Sequence, residues 1–183
     1  MRTSLGAVIT AGVGVSLVAG CGGTDGLESR SGAYTFFQQL AYHGGSGGVS
    51  HTDQVLPGTA ERLQEFRMWS GTYVDGIQLQ FYDPASGSYR APARRGCCGG
   101  TFRSMALNSN ESLFADFGWS KKYVDYLAVA KSDTVTTTWL NSNSGSGGDF
   151  WGQEICPQPF MFQGVYTQSG QYLDGISFLE YQP

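Results

Sequence analysis

The sequence predicts an all-β domain in which three four-stranded sheets share one core. One segment recurs as Ser70-Gly71-Thr72-Tyr73-Val74-Asp75-Gly76-Ile77, Ser120-Lys121-Lys122-Tyr123-Val124-Asp125-Tyr126-Leu127 and Ser169-Gly170-Gln171-Tyr172-Leu173-Asp174-Gly175-Ile176, with its aspartates 50 and 49 residues apart. Each copy follows a glycine-rich cluster, Gly44–Gly48, Gly96–Gly100 or Ser144–Gly148, whose last glycine precedes the aspartate by 27, 25 and 26 residues. A repeat of this period marks one supersecondary unit used three times. Composition agrees: 183 residues with 14% charged, 14% aromatic and 27 glycines favour a turn-rich β protein over helices.

Residues 1–20 read as an export signal. Arg2 supplies the positive start, and Leu5 to Val18 form an apolar, Gly/Ala-rich stretch too short to span a bilayer comfortably. It ends Leu17-Val18-Ala19-Gly20-Cys21, which is similar to a bacterial lipobox. On that reading Cys21 becomes a lipidated N-terminus carrying the several acyl chains that stable anchoring needs. Ordinary secretion, with cleavage between Ala19 and Gly23, is the alternative. Residues 21–32 are small and polar, as a flexible tether requires.

Residues 33–183 then form one exported domain of about 150 residues, a size that buries roughly 70% of the unfolded surface. Export permits disulfides. With Cys21 lipidated, Cys97, Cys98 and Cys156 remain, an odd number that leaves a thiol unpaired. Cys97 or Cys98 can pair with Cys156, or with each other in a strained vicinal ring. No Cys or His stands at ligand spacing from them, so neither metal nor cofactor is expected. The net charge of −4 comes without a basic stripe, which argues against nucleic acid. Homo-oligomerisation stays open.

Within the domain, strands are expected just before each Tyr-x-Asp, over Arg62 to Trp69, Ser112 to Trp119 and Phe160 to Thr167. Arg62 to Trp69 also fits a helical turn, but the turn signal after it and the parallel with Phe160 to Thr167 decide for strand. After each Tyr-x-Asp the residues alternate. Ile77, Leu79 and Phe81 oppose Gln78, Gln80 and Tyr82; Leu127 and Val129 oppose Ala128 and Ala130; Ile176 and Phe178 oppose Ser177 and Leu179. Period two means half-buried strands. Each unit thus reads as strand, glycine loop, strand, strand, turn, strand, or twelve strands in all. Three such sheets bury their apolar faces only by packing around a common axis.

A Gly-Gly-x-Gly-Gly loop followed after about 25 residues by Gly-x-Tyr-[Val/Leu]-Asp-x-Ile resembles the jacalin-related lectins. The threefold recurrence resembles the members of that family with three sites. The likeness covers Tyr34 to Gln182, and its three ordered copies make it specific. It implies a β-prism of three Greek-key sheets with pseudo-threefold symmetry. It also implies binding of carbohydrate, most often mannose-type sugars. In the family the aspartate takes two sugar hydroxyls, N–H groups just before it donate to the ring and hydroxymethyl oxygens, and a glycine N–H of a neighbouring loop reaches a third hydroxyl.

Carried over, Gly170, Gln171, Tyr172, Leu173 and Asp174 would pair with Gly44, Gly45, Gly47 and Gly48. Gly71, Thr72, Tyr73, Val74 and Asp75 would pair with Gly99 and Gly100 of the Gly96–Gly100 loop, and Tyr123, Val124 and Asp125 with Gly147 and Gly148. The Asp174 pairing matches the family pattern best. In the Asp75 pairing, Cys97 and Cys98 replace Gly and Ser. In the Asp125 pairing, Lys121 replaces glycine, which costs stability if that backbone must be left-handed. The family's galactose-binding branch needs a new N-terminal glycine made by internal cleavage. Here chain precedes Gly44 without interruption, which favours mannose or glucose.

The residue types suit this chemistry. A carboxylate at a turn can accept two hydroxyls at once, in charge-assisted bonds of about 1.5–3 kcal/mol each. Glycines let a sugar approach main-chain N–H groups. A tyrosine ring can lie against the sugar's C–H face, or simply pack at a sheet corner. Trp139 and Trp151 either flank a glycan or serve the core. Two other functions stay in view: an adhesion module that has lost sugar affinity, and a serine hydrolase using Ser46. The Gly44-Gly45-Ser46-Gly47-Gly48 stretch satisfies Gly-x-Ser-x-Gly, but no helix opening follows and His43 and His51 lie too near in sequence for the usual layout.

Overall fold

Apolar residues alternate along the domain and glycine-rich turns interrupt them, and every described element is a strand. The computed structural model describes residues 33–145 and 147–183; the segments expected to be an export signal and a tether, with Cys21, lie outside them. In chain order the strands are β1 (Thr35–Gln39), β2 (His43–Gly44), β3 (Val49–Gln54), β4 (Arg62–Ser70), β5 (Val74–Asp83), β6 (Ser88–Arg90) and β7 (Arg95–Gly96). They continue with β8 (Thr101–Ala106), β9 (Ser112–Ser120), β10 (Val124–Ser132), β11 (Thr137–Asn141), β12 (Asp149–Ile155), β13 (Met161–Ser169) and β14 (Leu173–Gln182). β1 and β2 both pair with β14, and β6 and β7 both pair with β5. The fourteen segments therefore run along twelve lines, the number the repeat predicts.

Each sheet has an inner hairpin and two outer lines. Sheet I is β1/β2–β14–β13–β3, sheet II is β6/β7–β5–β4–β8, and sheet III is β11–β10–β9–β12, all antiparallel. A single bridge, Phe162 to Leu113, links sheets I and III. Sheet I is built from both ends of the domain, so the first glycine loop meets the last Tyr-x-Asp turn. In every sheet the glycine loop must cross from one outer line to the other over the end of the inner hairpin. That crossing is what sets loops against aspartates.

The core lies on the common axis. Phe66, Met68, Ile77, Leu79 and Phe81 come from sheet II, Leu113, Leu127 and Val129 from sheet III, and Phe162, Val165, Ile176 and Phe178 from sheet I, all fully buried. Phe178 stacks on Phe162 at 4.8 Å and reaches Phe66 of sheet II at 6.3 Å. Burying each such side chain is worth about 1.5–3 kcal/mol.

The simple alternation fails in two strands. Ala128 and Ala130, expected to face outward, are fully buried, because a layer of aromatic side chains covers the outer face of sheet III. Ser177 and Leu179 are buried as well: the segment before the first glycine loop lies over β14, where Leu40 accepts the Ser177 hydroxyl at 2.7 Å.

One ionisable cluster is enclosed beside β2. Asp116 on β9 and Glu154 on β12 are register partners. The Trp151 indole donates to Asp116 at 3.3 Å and stacks on the His43 ring at 4.6 Å, while His43 Nε2 lies 3.1 Å from Glu154. Burial, and then the Glu154 charge, push the Asp116 carboxyl up to about 8.

Candidate functional site

The three Tyr-x-Asp turns converge at one end of the prism. The rings of Tyr73, Tyr123 and Tyr172 pack against one another with centroids 5.1, 5.2 and 5.1 Å apart. The tyrosines thus tie the three turns together around the pseudo-threefold axis, which is the corner-packing alternative for these residues. Val74, Val124 and Leu173 send their side chains into the core, so only their main chain is available at the surface.

Each aspartate lies under a glycine loop, in the pairings drawn from the sequence. At Asp174, Gly45 N–H donates to the Asp174 carbonyl at 2.8 Å, Gly44 is the register partner of Gly175, and a Cβ on Gly47 would lie 2.8 Å from Oδ1. At Asp75, Gly96 is the register partner of Gly76, and a Cβ on Gly100 would lie 2.5 Å from Oδ2. Gly99 is looser, its Cβ position 3.8 Å from Oδ1. At Asp125, Cβ atoms on Gly147 and Gly148 would lie 3.0 and 2.7 Å from the carboxylate oxygens. The last loop glycines, Gly48, Gly100 and Gly148, have φ of 74°, 74° and 77°, a region only glycine enters cheaply.

The residue at the turn start behaves differently. Gly71, Lys121 and Gly170 are all outside the left-handed region. The penalty expected for Lys121 therefore does not arise. In all three copies its N–H donates to the tyrosine carbonyl, at 2.9, 3.1 and 3.1 Å. A Cβ at Gly71 or Gly170 would stand 3.1 or 3.6 Å from the carboxylate, so the Lys121 stem begins over Asp125.

The carboxylates are enclosed but not satisfied. Asp75, Asp125 and Asp174 are 7%, 8% and 6% exposed, and Oδ2 of each has no hydrogen-bond partner among the described residues. Burial raises all three pKa values. The nearby turn N–H pulls each one back, aided by the Arg94 charge at Asp75 and the Lys122 charge at Asp174. Neither cation was singled out from the sequence. Arg94 lies over the Trp69 ring at 4.3 Å and donates to the Gly99 carbonyl at 3.2 Å. Lys122 lies 5.1 Å from the Tyr123 ring. Both stand at positions that vary among the copies, so the repeat carried no signal for them.

The loops also brace neighbouring turns. Cys97 N–H donates to the Gln171 carbonyl at 3.1 Å and Gly145 N–H to the Thr72 carbonyl at 3.3 Å, while Gly45 packs on the Lys122 carbonyl. Each site is therefore assembled from all three repeats. Cys97 and Cys98 form the vicinal disulfide within their loop. Cys156 is a buried free thiol, held protonated by burial and by Glu180. His43 is turned to Glu154 and Trp151, away from any role beside Ser46.

No protein-family model matches the chain, and no curated protein matches its sequence. Solved structures do match its shape. A mannose-binding jacalin-related lectin from Ananas comosus superposes with a TM-score of 0.66 at 16% identity, over 80% of this chain and 98% of that one. A mannose-binding lectin from champedak gives 0.67 at 12% identity, over 80% and 97%. Artocarpin, in a complex with mannotriose, gives 0.66 at 11% identity, over 80% and 98%. These likenesses, together with three antiparallel sheets around one axis, establish that the chain has the β-prism fold of the jacalin-related lectins.

Proposed function

We propose that this protein is a non-catalytic lectin whose corner sites take neutral sugars of the mannose or glucose type. We propose further that it is exported and held at the bacterial envelope through Cys21. One observation carries the lectin reading: three equivalent carboxylates, each nearly enclosed beneath a glycine loop, keep an oxygen without a hydrogen-bond partner among the described residues. A buried acceptor left unmatched costs about 1–3 kcal/mol, more when charged. Folding gains nothing from repeating that cost three times. A hexose supplies adjacent hydroxyls to the carboxylate and accepts from the turn and loop N–H groups. The mannose-binding proteins that share the fold support the same class of ligand.

The sites suit binding rather than bond cleavage. A glycosidase needs two carboxyls about 5–10 Å apart across one cleft, whereas these aspartates belong to separate corners. A few hydrogen bonds must offset an association cost of about 4 kcal/mol or more, so a single sugar should bind on the order of millimolar. Several sites on one face gain avidity on branched glycans.

Glycan-array screening followed by calorimetry with methyl α-mannoside tests this. Binding should drop by one site in Asp174→Asn and vanish in the triple variant with Asp75→Asn and Asp125→Asn. Unchanged binding in the triple variant would remove the site assignment. A parent protein that binds no neutral sugar yet aggregates cells would instead be the adhesion module. Ser46→Ala should leave binding intact.

A further inference from the structure

The outer face of sheet III carries aromatic rings that neither the core nor the corner sites use. Phe117 and Trp119 project from β9, Tyr126 from β10, Trp139 from β11 and Phe150 from β12. Their centroids are linked at 4.8 to 6.4 Å, with Phe117 touching Trp119, Tyr126, Trp139 and Phe150. Strand register orders this face. Phe150, Trp119 and Tyr126 form the row nearest the apex; Gln153, Phe117, Ala128 and Asn141 form the next; Ala130 and Trp139 belong to the third. Rows are about 7 Å apart, two residues along a strand. The first row starts at the residue after Asp125, and Phe150 comes two residues after Gly148. The face is therefore continuous with the Asp125 site.

The other two sheets do not extend such a surface beyond one row. Sheet I has Ser50 and Gln168 at the positions of Phe150 and Trp119. Sheet II keeps the pair as Phe102, 52% exposed, on Trp69 at 5.0 Å, but Arg94 covers Trp69, Gly76 replaces Tyr126, and the next row is Ser104, Arg67 and Gln78. On sheet III, Phe150 is 57% and Trp139 37% exposed. Ala128 and Ala130 lie buried beneath the rings, so the rings themselves form the surface, and Gln153 and Asn141 bring carboxamides to the row of Phe117.

We propose that this face is a carbohydrate subsite: it takes the second and third pyranose rings of a neutral oligosaccharide whose end sugar occupies the Asp125 site. The inference rests on the corner-site reading and extends it. Pyranose C–H faces fit exposed ring plates, and carboxamides, indole N–H and phenol groups meet the outward hydroxyls. Apolar walls with a few convergent polar groups are the usual make-up of a small-ligand site. A second copy of the chain fits less well. Five aromatic side chains of about 150–250 Å² each, most of them half-covered by one another, leave on the order of 300–400 Å² to bury. A stable interface uses roughly 800 Å² per partner.

The test uses the protein with Asp75→Asn and Asp174→Asn, so that only the Asp125 site remains, titrated with methyl α-mannoside and with mannopentaose. Adding Trp139→Gln or Phe150→Ser should weaken mannopentaose binding about five- to tenfold. Methyl α-mannoside binding and Tm should stay put. Trp139→Tyr, which keeps a ring, should restore most of the loss, and indole fluorescence should respond to mannopentaose alone. Equal binding of mannopentaose by parent and variants overturns the proposal, as does an equal loss for both sugars. It is also overturned if the parent is a dimer that these substitutions dissolve without changing mannopentaose affinity. Mannopentaose binding that depends on Phe150 and Trp139 without any methyl α-mannoside binding would keep the subsite and remove the corner-site reading. Binding of neither sugar removes both.

Discussion

A Cβ on Gly47 would stand 2.8 Å from Oδ1 of Asp174, although the two residues lie at opposite ends of the domain sequence. Gly47 is not left-handed, whereas its neighbour Gly48 is, with φ of 74°. The two glycines therefore separate ligand space from backbone need. Gly47→Ala should cut sugar binding at the Asp174 site at least tenfold while changing Tm by little. Gly48→Ala forces a side chain into the left-handed region and against the Ser169 carbonyl. It should cost about 1–3 kcal/mol of stability and disturb the loop. Calorimetry and thermal melts on both variants distinguish the two effects; equal destabilisation would contradict the division.

The acid limit of binding should report Asp174. Its pKa is raised chiefly by burial and drawn back by the Gly170 N–H and the Lys122 charge. Only the ionised form accepts two hydroxyls, so affinity should fall as pH drops, beginning above the ordinary carboxylate range. Lys122→Met removes the opposing charge and should move that fall to higher pH without affecting binding at pH 8. The measurement is a pH series of methyl α-mannoside affinity in Asp75→Asn/Asp125→Asn protein. An unmoved acid limb would place Lys122 outside the site's field.

Asp116 should make the fold more stable in mild acid than at pH 8. Its pKa is pushed up to about 8, by burial first and the Glu154 charge second, from 3.8. Folding then holds a proton that the unfolded chain has released, so stability is fullest at the low end and falls as pH rises from about 4 to about 8. The span corresponds to a few kcal/mol. Asp116→Asn cannot ionise and still offers Trp151 an acceptor. Its melting temperature should exceed the parent's at pH 8 and vary less with pH. A parent whose stability rises across that window would show that the carboxyl ionises normally.

The anchor is tested by Cys21→Ala. If Cys21 is lipidated, the parent should label with radioactive palmitate and partition with membranes, and the variant should do neither while keeping its sugar affinity. A parent found wholly in the medium would favour ordinary secretion.

Period-two runs such as Ile77-Gln78-Leu79-Gln80-Phe81 and turns such as Ser169-Gly170-Gln171 are decided by residues a few positions apart, so twelve strands and their hairpins could be read in chain order. The repeat itself carried the Asp–glycine pairings through family likeness. Tertiary closure decided the rest, because it depends on what lies across the axis or on the other face of a sheet. It made Tyr73, Tyr123 and Tyr172 into one cluster, left Lys121 without backbone strain, and set Lys122 and Arg94 beside carboxylates of other segments. It also joined Cys97 to Cys98 instead of the buried Cys156, and covered Ala128 and Ala130 with aromatic rings. Local alternation assigns each side chain to one of two faces. Only the packing of three sheets determines which faces meet protein and which stay open to a ligand.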